Sequence, residues 1–227
     1  GGSRSLQMVG NATVGACDNI IEKGSEAAAL LWDTDISNVE FLDGLFKAKN
    51  SNHAITILDL AQKISEIKGL PEKFKNGLSH YENYTKTAST FPNGCHIAEV
   101  EIDPETGVID LQKYTVVDDF GVVINPMIVK GQVHGGVVQG VGQALTENCV
   151  FEIGTGQLLT GSFMDYGMPR ADDIPDISFS MNNIPCTTNV LGIKGCGEAG
   201  TIGALPSFAN ACLNAMAERG VGRMDMP

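Results

Sequence analysis

Lys194-Gly195-Cys196-Gly197-Glu198-Ala199-Gly200-Thr201 places one carboxylate at the centre of a glycine-rich turn. Glycine lets a backbone take positive φ and approach a ligand closely. A glutamate held in such a turn can stand against a reacting atom. Three readings compete. The turn could cradle a phosphate, or it could present a base beside a metal cofactor. It could also be a plain strand-to-helix connection, with Glu198 in a first helical turn where the dipole favours an anion.

Gly195, Gly197 and Gly200 match G-x-G-x-x-G, the written form of a dinucleotide fingerprint. That fingerprint opens a strand–helix–strand unit of about 30 residues, with an acidic residue about 20 positions on. Glu218 lies near that distance but inside the following helix, and no second strand is expected before Pro227.

Other polar residues could hold a ligand. Gln132, Gly136, Gln139 and Gln143 share one helical stripe. Amides and glycines suit an extended polar ligand that needs hydrogen bonds and a close backbone. Ser3, Arg4 and Ser5 offer a guanidinium fork and hydroxyls of the kind that bind phosphate. His53, His80, His96 and His134 lack ligand spacing, so no metal ligands are assigned. Asp118-Asp119 and Asp172-Asp173 read as capping or loop carboxylates, and Phe91 and Tyr166 as aromatic core.

The elements that must position these residues follow from periodicity and turn chemistry. Asn11 to Trp32 reads as an amphipathic helix. Asp43-Gly44 between Val39–Leu42 and Leu45–Ala48 predicts a hairpin. Thr56 caps a short helix through about Ile67. Residues 72–94 read as a long loop. His96–Asp103 and Val108–Asp118, joined by Pro104-Glu105-Thr106-Gly107, predict a well-buried hairpin. Asn125-Pro126 starts a helix running to about Thr146. A strand is expected near Ile177–Met181. Val190–Ile193 is expected to lead, as a strand, into the glycine turn, and a last helix to begin at Leu205 or Pro206. The expected architecture is α+β, with mixed sheets and packed helices in two lobes, residues 1–90 and 91–227.

Composition narrows the function. The 227 residues carry a formal net charge of −12, which disfavours nucleic acid and anionic membranes as partners. No apolar run is long enough for a transmembrane helix, and no signal peptide is apparent. The six cysteines show no zinc-like or redox spacing and read as small core residues in a cytoplasmic protein. The chain opens on Gly1 rather than Met, which predicts a fragment or processed piece.

Taken together, Gly2-Ser3-Arg4-Ser5, Thr90-Phe91-Pro92-Asn93-Gly94-Cys95-His96, the helix from Gly131 to Gly140, and Lys194 to Glu198 resemble a known family. It is the C-terminal part of the molybdopterin-binding large subunit of molybdenum hydroxylases. That family includes xanthine dehydrogenase, aldehyde oxidase and aerobic carbon monoxide dehydrogenase. The resemblance implies a molybdenum-cofactor-binding domain whose enzyme inserts oxygen from water into a C–H bond. It implies Glu198 as catalytic base. It implies cofactor contacts from Gly2, Ser3, Arg4, Ser5, Gln132, Gln139, Lys194, Gly195, Cys196 and Gly197. Cys196 stands where an aliphatic residue is common. The cofactor would be molybdopterin with molybdenum, as the cytosine dinucleotide. Iron-sulfur clusters and FAD would sit on partner subunits or domains of a hetero-oligomer, and the rest of the large subunit would dock on an exposed face. A scaffold derived from this family, or a nucleotide-binding module using Gly195 to Gly200, stays open beside that reading.

Overall fold

The computed structural model describes residues 3–226. The fold is α+β and comprises two compact units. One runs from Met8 to Thr85. The other joins Lys86 onward to the N-terminal residues through Gln7. The division thus falls at Thr85–Lys86, near the expected residue 90, but Ser3–Gln7 group with the later unit. Among the described residues no helix is long and apolar enough to cross a membrane.

In the first unit, α1 (Asn11–Leu31) packs on an antiparallel sheet of β1 (Val39–Leu42), β2 (Leu45–Ala48) and β3 (Ala54–Thr56), with α2 (Ile57–Lys63) alongside. Asp43 and Gly44 both take positive φ, 51° and 77°, as a two-residue hairpin of this twist requires. Thr56 Oγ1 accepts the Asp59 N–H at 3.0 Å and caps α2. The core gathers Ala27, Ala28, Phe46 and Leu60. The Phe46 ring fills the space a side chain at Gly24 would need. Strand β3 was not foreseen, because three residues are too few to show alternation. Nor is the stretch after residue 72 wholly loose: Phe74 and Leu78 are buried in this core.

The second unit is a mixed sheet, β4 (Asn93–Ile102), β5 (Ile109–Asp119) and β6 (Ile177–Met181), with β5 antiparallel to β4 and parallel to β6. Helices α3 (Pro126–Leu145) and α4 (Ala199–Met216) pack against each other, and α4 lies on β4. Asn125 Oδ1 caps α3 by accepting the Ile128 N–H, with Pro126 at the first helical position. The core combines Tyr114, Val116 and Phe120 with Val133, Val137 and Phe208. The hairpin is only half covered. No β4 residue is fully buried, and β5 buries one face, because the helices supply cover on one side.

Other expectations change. Val190–Ile193 makes only an isolated bridge, Ile193 to Gly121, and not a strand. Helix α4 starts at Ala199, well before Leu205, and carries Pro206 inside it. Pro206 is exposed, so its ring meets solvent, and burial of Ala204 and Phe208 outweighs the lost backbone hydrogen bond. Of the cysteines only Cys212 is buried, and Cys17, Cys95 and Cys149 are exposed.

Candidate functional site

Part of the glycine pattern on α3 has a packing cause. Cβ atoms at Gly136 and Gly140 would lie 3.0 Å from the Gly200 Cα and 2.6 Å from the Ala204 Cβ. A Cβ at Gly200 would stand 2.5 Å from the Val133 carbonyl oxygen. These glycines let two helix backbones touch. The stripe expected to face a ligand therefore belongs, at Gly136, to the helix seam. Gly131 and Gly135 face open space.

That seam sets the height of α4 and thus of the turn before it. Gln132 Nε2 donates to the Gly197 carbonyl at 2.9 Å. Thr201 Oγ1 lies 3.1 Å from the Gly136 carbonyl and 3.3 Å from Gln139 Oε1. Ser3, at φ 51°, packs on the turn from the other side. A Cβ at Gly195 would lie 2.8 Å from the Ser3 Cβ, and one at Gly197 would collide with Ser3 Oγ. The glycines of the turn are thus required by Ser3.

Glu198 occupies the N-cap of α4, but its side chain makes no capping hydrogen bond and is exposed. Its backbone carbonyl accepts the Ile202 N–H at 3.0 Å. The carboxylate is therefore free of structural duty, at a helix end that favours an anion. It lines a cleft of about 400 Å³ together with Ser3, Gln7, Phe91, His96 and Asp118. Thr90 and Gly195 border the same cleft, and Thr90 Oγ1 and Asp118 Oδ2 are buried there without a hydrogen-bond partner.

The sequence-derived candidates divide accordingly. Ser3, Gly195 and Glu198 meet at the cleft, and Gln132 and Gly197 brace it from behind. Arg4 and Ser5 are exposed and do not line it. Gly2 lies outside the described residues. Gln139 sits farther along the helix seam. Cys196 packs against the core, and burial pushes its thiol pKa up. Lys194 Nζ is engaged by Asp119 Oδ2 at 2.5 Å. Burial, the strongest single influence on the Asp119 carboxyl, favours its neutral form. Lys194 and the N–H groups of Ile184 and Gly121 together outweigh it and hold the pKa below the usual aspartate value.

Asp118 and Asp119 are strand rather than loop residues, and of the two Asp119 alone caps backbone, accepting the Gly121 and Ile184 N–H groups. They end β5 in the interior, 3% and 5% exposed, on different partners: His96 for Asp118 and Lys194 for Asp119. Asp173 does cap, accepting the Arg170 N–H. Phe91 is 73% exposed on the cleft wall and is not core. Tyr166 donates to Glu147, which with burial pushes its pKa up to about 12. His134 stands away from the cleft, edge-on to Phe179, its pKa lowered by burial and by Lys130 against the pull of Asp176. Gln7, His96 and Asp118 were missed as site residues. Gln7 carries no sequence signal, whereas the adjacent carboxylates ending a strand were a usable one.

The setting of a dinucleotide fingerprint is absent. Among the described residues no strand leads directly into the turn, since β6 ends at Met181, and after α4 there is only a short 3₁₀ turn, Ala217–Arg219. Among the described residues no group of three or more His, Cys, Asp or Glu side chains could hold a metal. The cleft instead offers hydroxyls, amides, bare backbone and buried unpartnered oxygens. That donor set fits a ligand that brings its own metal-binding atoms and needs hydrogen bonds along its frame.

Comparison with known proteins agrees with this chemistry. Residues 1–175 match the molybdopterin cofactor-binding domain family. The nicotine 6-hydroxylase large subunit of Paenarthrobacter nicotinovorans is 32% identical over 228 residues, covering 100% of this chain and 28% of its own length. The carbon monoxide dehydrogenase large chain of Hydrogenophaga pseudoflava is 31% identical over 227 residues, with 100% and 28% covered. Among solved structures, a Cu,Mo-CO dehydrogenase superposes with a TM-score of 0.87 at 30% identity, covering 99% of this chain and 28% of that one. Quinoline 2-oxidoreductase from Pseudomonas putida 86 gives 0.82 at 30% identity, with 95% and 28% covered. The chain thus spans about 28% of the length of these relatives.

Proposed function

The chain belongs to the molybdopterin cofactor-binding domain family, within the molybdenum hydroxylases, and on that premise we propose that it carries the catalytic base of such an enzyme. The reaction is insertion of oxygen from water into a C–H bond of a small molecule. One observation carries the reading. Glu198 holds a helix N-cap without capping it, so its carboxylate is left free and exposed at a cleft whose other carboxylate, Asp118, is buried beside His96.

The cofactor, when bound, supplies Lewis acidity and the capacity to accept electrons. The chain's own residues do the rest. Glu198 accepts at a carboxylate oxygen the proton that a water-derived O–H must lose as it adds to carbon. Gln132 holds the turn beneath that carboxylate through the Gly197 carbonyl. Ser3 and Gly195, packed on each other, line the cleft where a polar frame would lie. Phe91 and Ile202 provide apolar surface that excludes water from part of the cleft.

In the same reading the pterin carries a cytosine nucleotide, and the protein is a cytoplasmic hetero-oligomer with iron-sulfur and flavin subunits. The remainder of the large subunit covers exposed apolar side chains such as Ile153, Phe163 and Met164, which are 102%, 85% and 93% exposed. This chain alone is not expected to turn over. The deciding experiment is molybdenum and released-nucleotide analysis of the protein purified with its native companions. About one molybdenum per chain with CMP released supports the reading. An intact native assembly lacking both overturns it.

A further inference from the structure

One line of buried side chains joins α4 to both long strands, and the reaction described above does not use it. His96 on β4 and Tyr114 on β5 meet at 2.9 Å, from imidazole Nδ1 to phenol oxygen. The same phenol oxygen lies 2.7 Å from Ser207 Oγ on α4. On its other side, His96 Nε2 stands 3.3 Å from Asp118 Oδ1 at the end of β5. The line is inside the protein: Tyr114 is fully buried, and the His96 and Asp118 side chains are 8% and 4% exposed.

The backbone is shaped for it. A Cβ at Gly203 would lie 2.5 Å from the His96 ring, so glycine there lets the imidazole rest on the α4 backbone. Burial, opposed by Ser207 and assisted by the charge of Asp118, pushes Tyr114 up to about 12. The phenol therefore keeps its proton and can donate. Ser207 Oγ also donates to the Ala204 carbonyl at 3.2 Å, so the phenol bridges the α4 backbone and His96 Nδ1, while His96 Nε2 faces Asp118 Oδ1 as an ion-pair contact.

Gly203 and Ser207 are on the helix that begins immediately after Glu198, and His96, Asp118 and Gly203 line the cleft with it. We propose that the Ser207–Tyr114–His96–Asp118 line is a positioning strut that fixes the start of α4, and with it the Glu198 carboxylate, against the sheet. Gln132 restrains the turn from α3, and the strut restrains it from β4 and β5. Neither Tyr114 nor Ser207 lines the cleft, so both act through Glu198 rather than on a ligand. The inference rests on Glu198 being the base.

The test uses the complete enzyme carrying Tyr114→Phe, Ser207→Ala or Glu198→Gln. Misplacing a catalytic group by an ångström costs about 100-fold, and a partial loosening less. Tyr114→Phe and Ser207→Ala are each expected to lower kcat by roughly 10-fold, with KM within about twofold and molybdenum content unchanged. Amide hydrogen exchange across residues 198–205 should quicken, while that of 208–216 stays as in the wild type. If Tyr114→Phe proves unstable, Ser207→Ala, at a half-buried site, carries the test. Unchanged kcat in Ser207→Ala, or an activity loss without faster exchange at 198–205, overturns the strut and leaves the base reading intact. A Glu198→Gln enzyme with normal kcat overturns both.

Discussion

Gln132 donates its side-chain N–H to the Gly197 carbonyl, 2.9 Å away, across 65 residues of sequence. Through that bond the second turn of α3 holds the peptide immediately before Glu198. The bond also occupies a carbonyl that the helix start leaves outside any ladder.

Replacing Gln132 by Ala removes the brace without filling space. The hydrogen bond contributes about 1 kcal/mol net. A small fall in melting temperature is expected, with a larger fall in kcat of about 10-fold, because the bond sets geometry more than stability. Steady-state kinetics beside calorimetry separate the two. Equal, small losses in both would show that the brace has no role in positioning.

Glu198→Gln keeps the size and hydrogen-bonding capacity of the side chain and deletes the base. The assembled enzyme should retain its molybdenum and lose turnover by about 100-fold to 10,000-fold, the usual range for removing a general base. Stability should hardly move, since the carboxylate makes no capping bond. Metal analysis and kinetics on one preparation decide it.

A glycine at the helix contact and one facing open space should respond oppositely. Gly200→Ala on the facing helix forces a methyl against the Val133 carbonyl and should cost about 1–3 kcal/mol. Gly131→Ala meets nothing within 4 Å and should stabilise the helix by roughly 0.5–1 kcal/mol. Denaturant unfolding of both variants measures the contrast. A stabilised Gly200→Ala would contradict the helix contact.

Lys194 should matter for folding rather than for ligand charge. Lys194→Ala leaves the Asp119 carboxylate, 5% exposed, with only the Gly121 and Ile184 N–H groups, and should cost up to about 3–5 kcal/mol near neutral pH. The sign in acid follows from the lowered folded pKa of Asp119. Its contribution is complete above the unfolded value near 3.8 and is lost as pH falls through that value toward the lower folded one. Unfolding curves between pH 6 and pH 2 should show a steeper acid loss in the wild type than in the variant. Parallel curves would refute the pairing.

Much of the site was legible because local rules spoke for it. Asn125-Pro126 announced α3, Asp43-Gly44 announced its hairpin, and a glutamate among close glycines singled out a carboxylate that the fold leaves uncapped at a cleft. The side-chain directions of Lys194 and Cys196 were not legible, because adjacency along a chain says nothing of which way a side chain turns. Their neighbours Gly195 and Glu198 reach the cleft, while Lys194 turns inward to Asp119. Helix α4 was placed too late because Pro206 ordinarily marks a helix start, and only the burial of Ala204 and Phe208 against the sheet and α3 explains its place in mid-helix.

The amino-acid sequence by itself determined most element types and the family, and singled out Glu198 as the candidate base, since caps, turns and motifs act over a few residues. The tertiary structure alone decided which polar groups share the cleft. Gln7, Phe91, His96, Asp118 and Glu198 come from distant segments. Their meeting depends on the helix contact at Gly136 and Gly200 and on the pairing of β4 with β5. Such contacts form only when the backbone has closed, and no local pattern encodes which distant partner will be there.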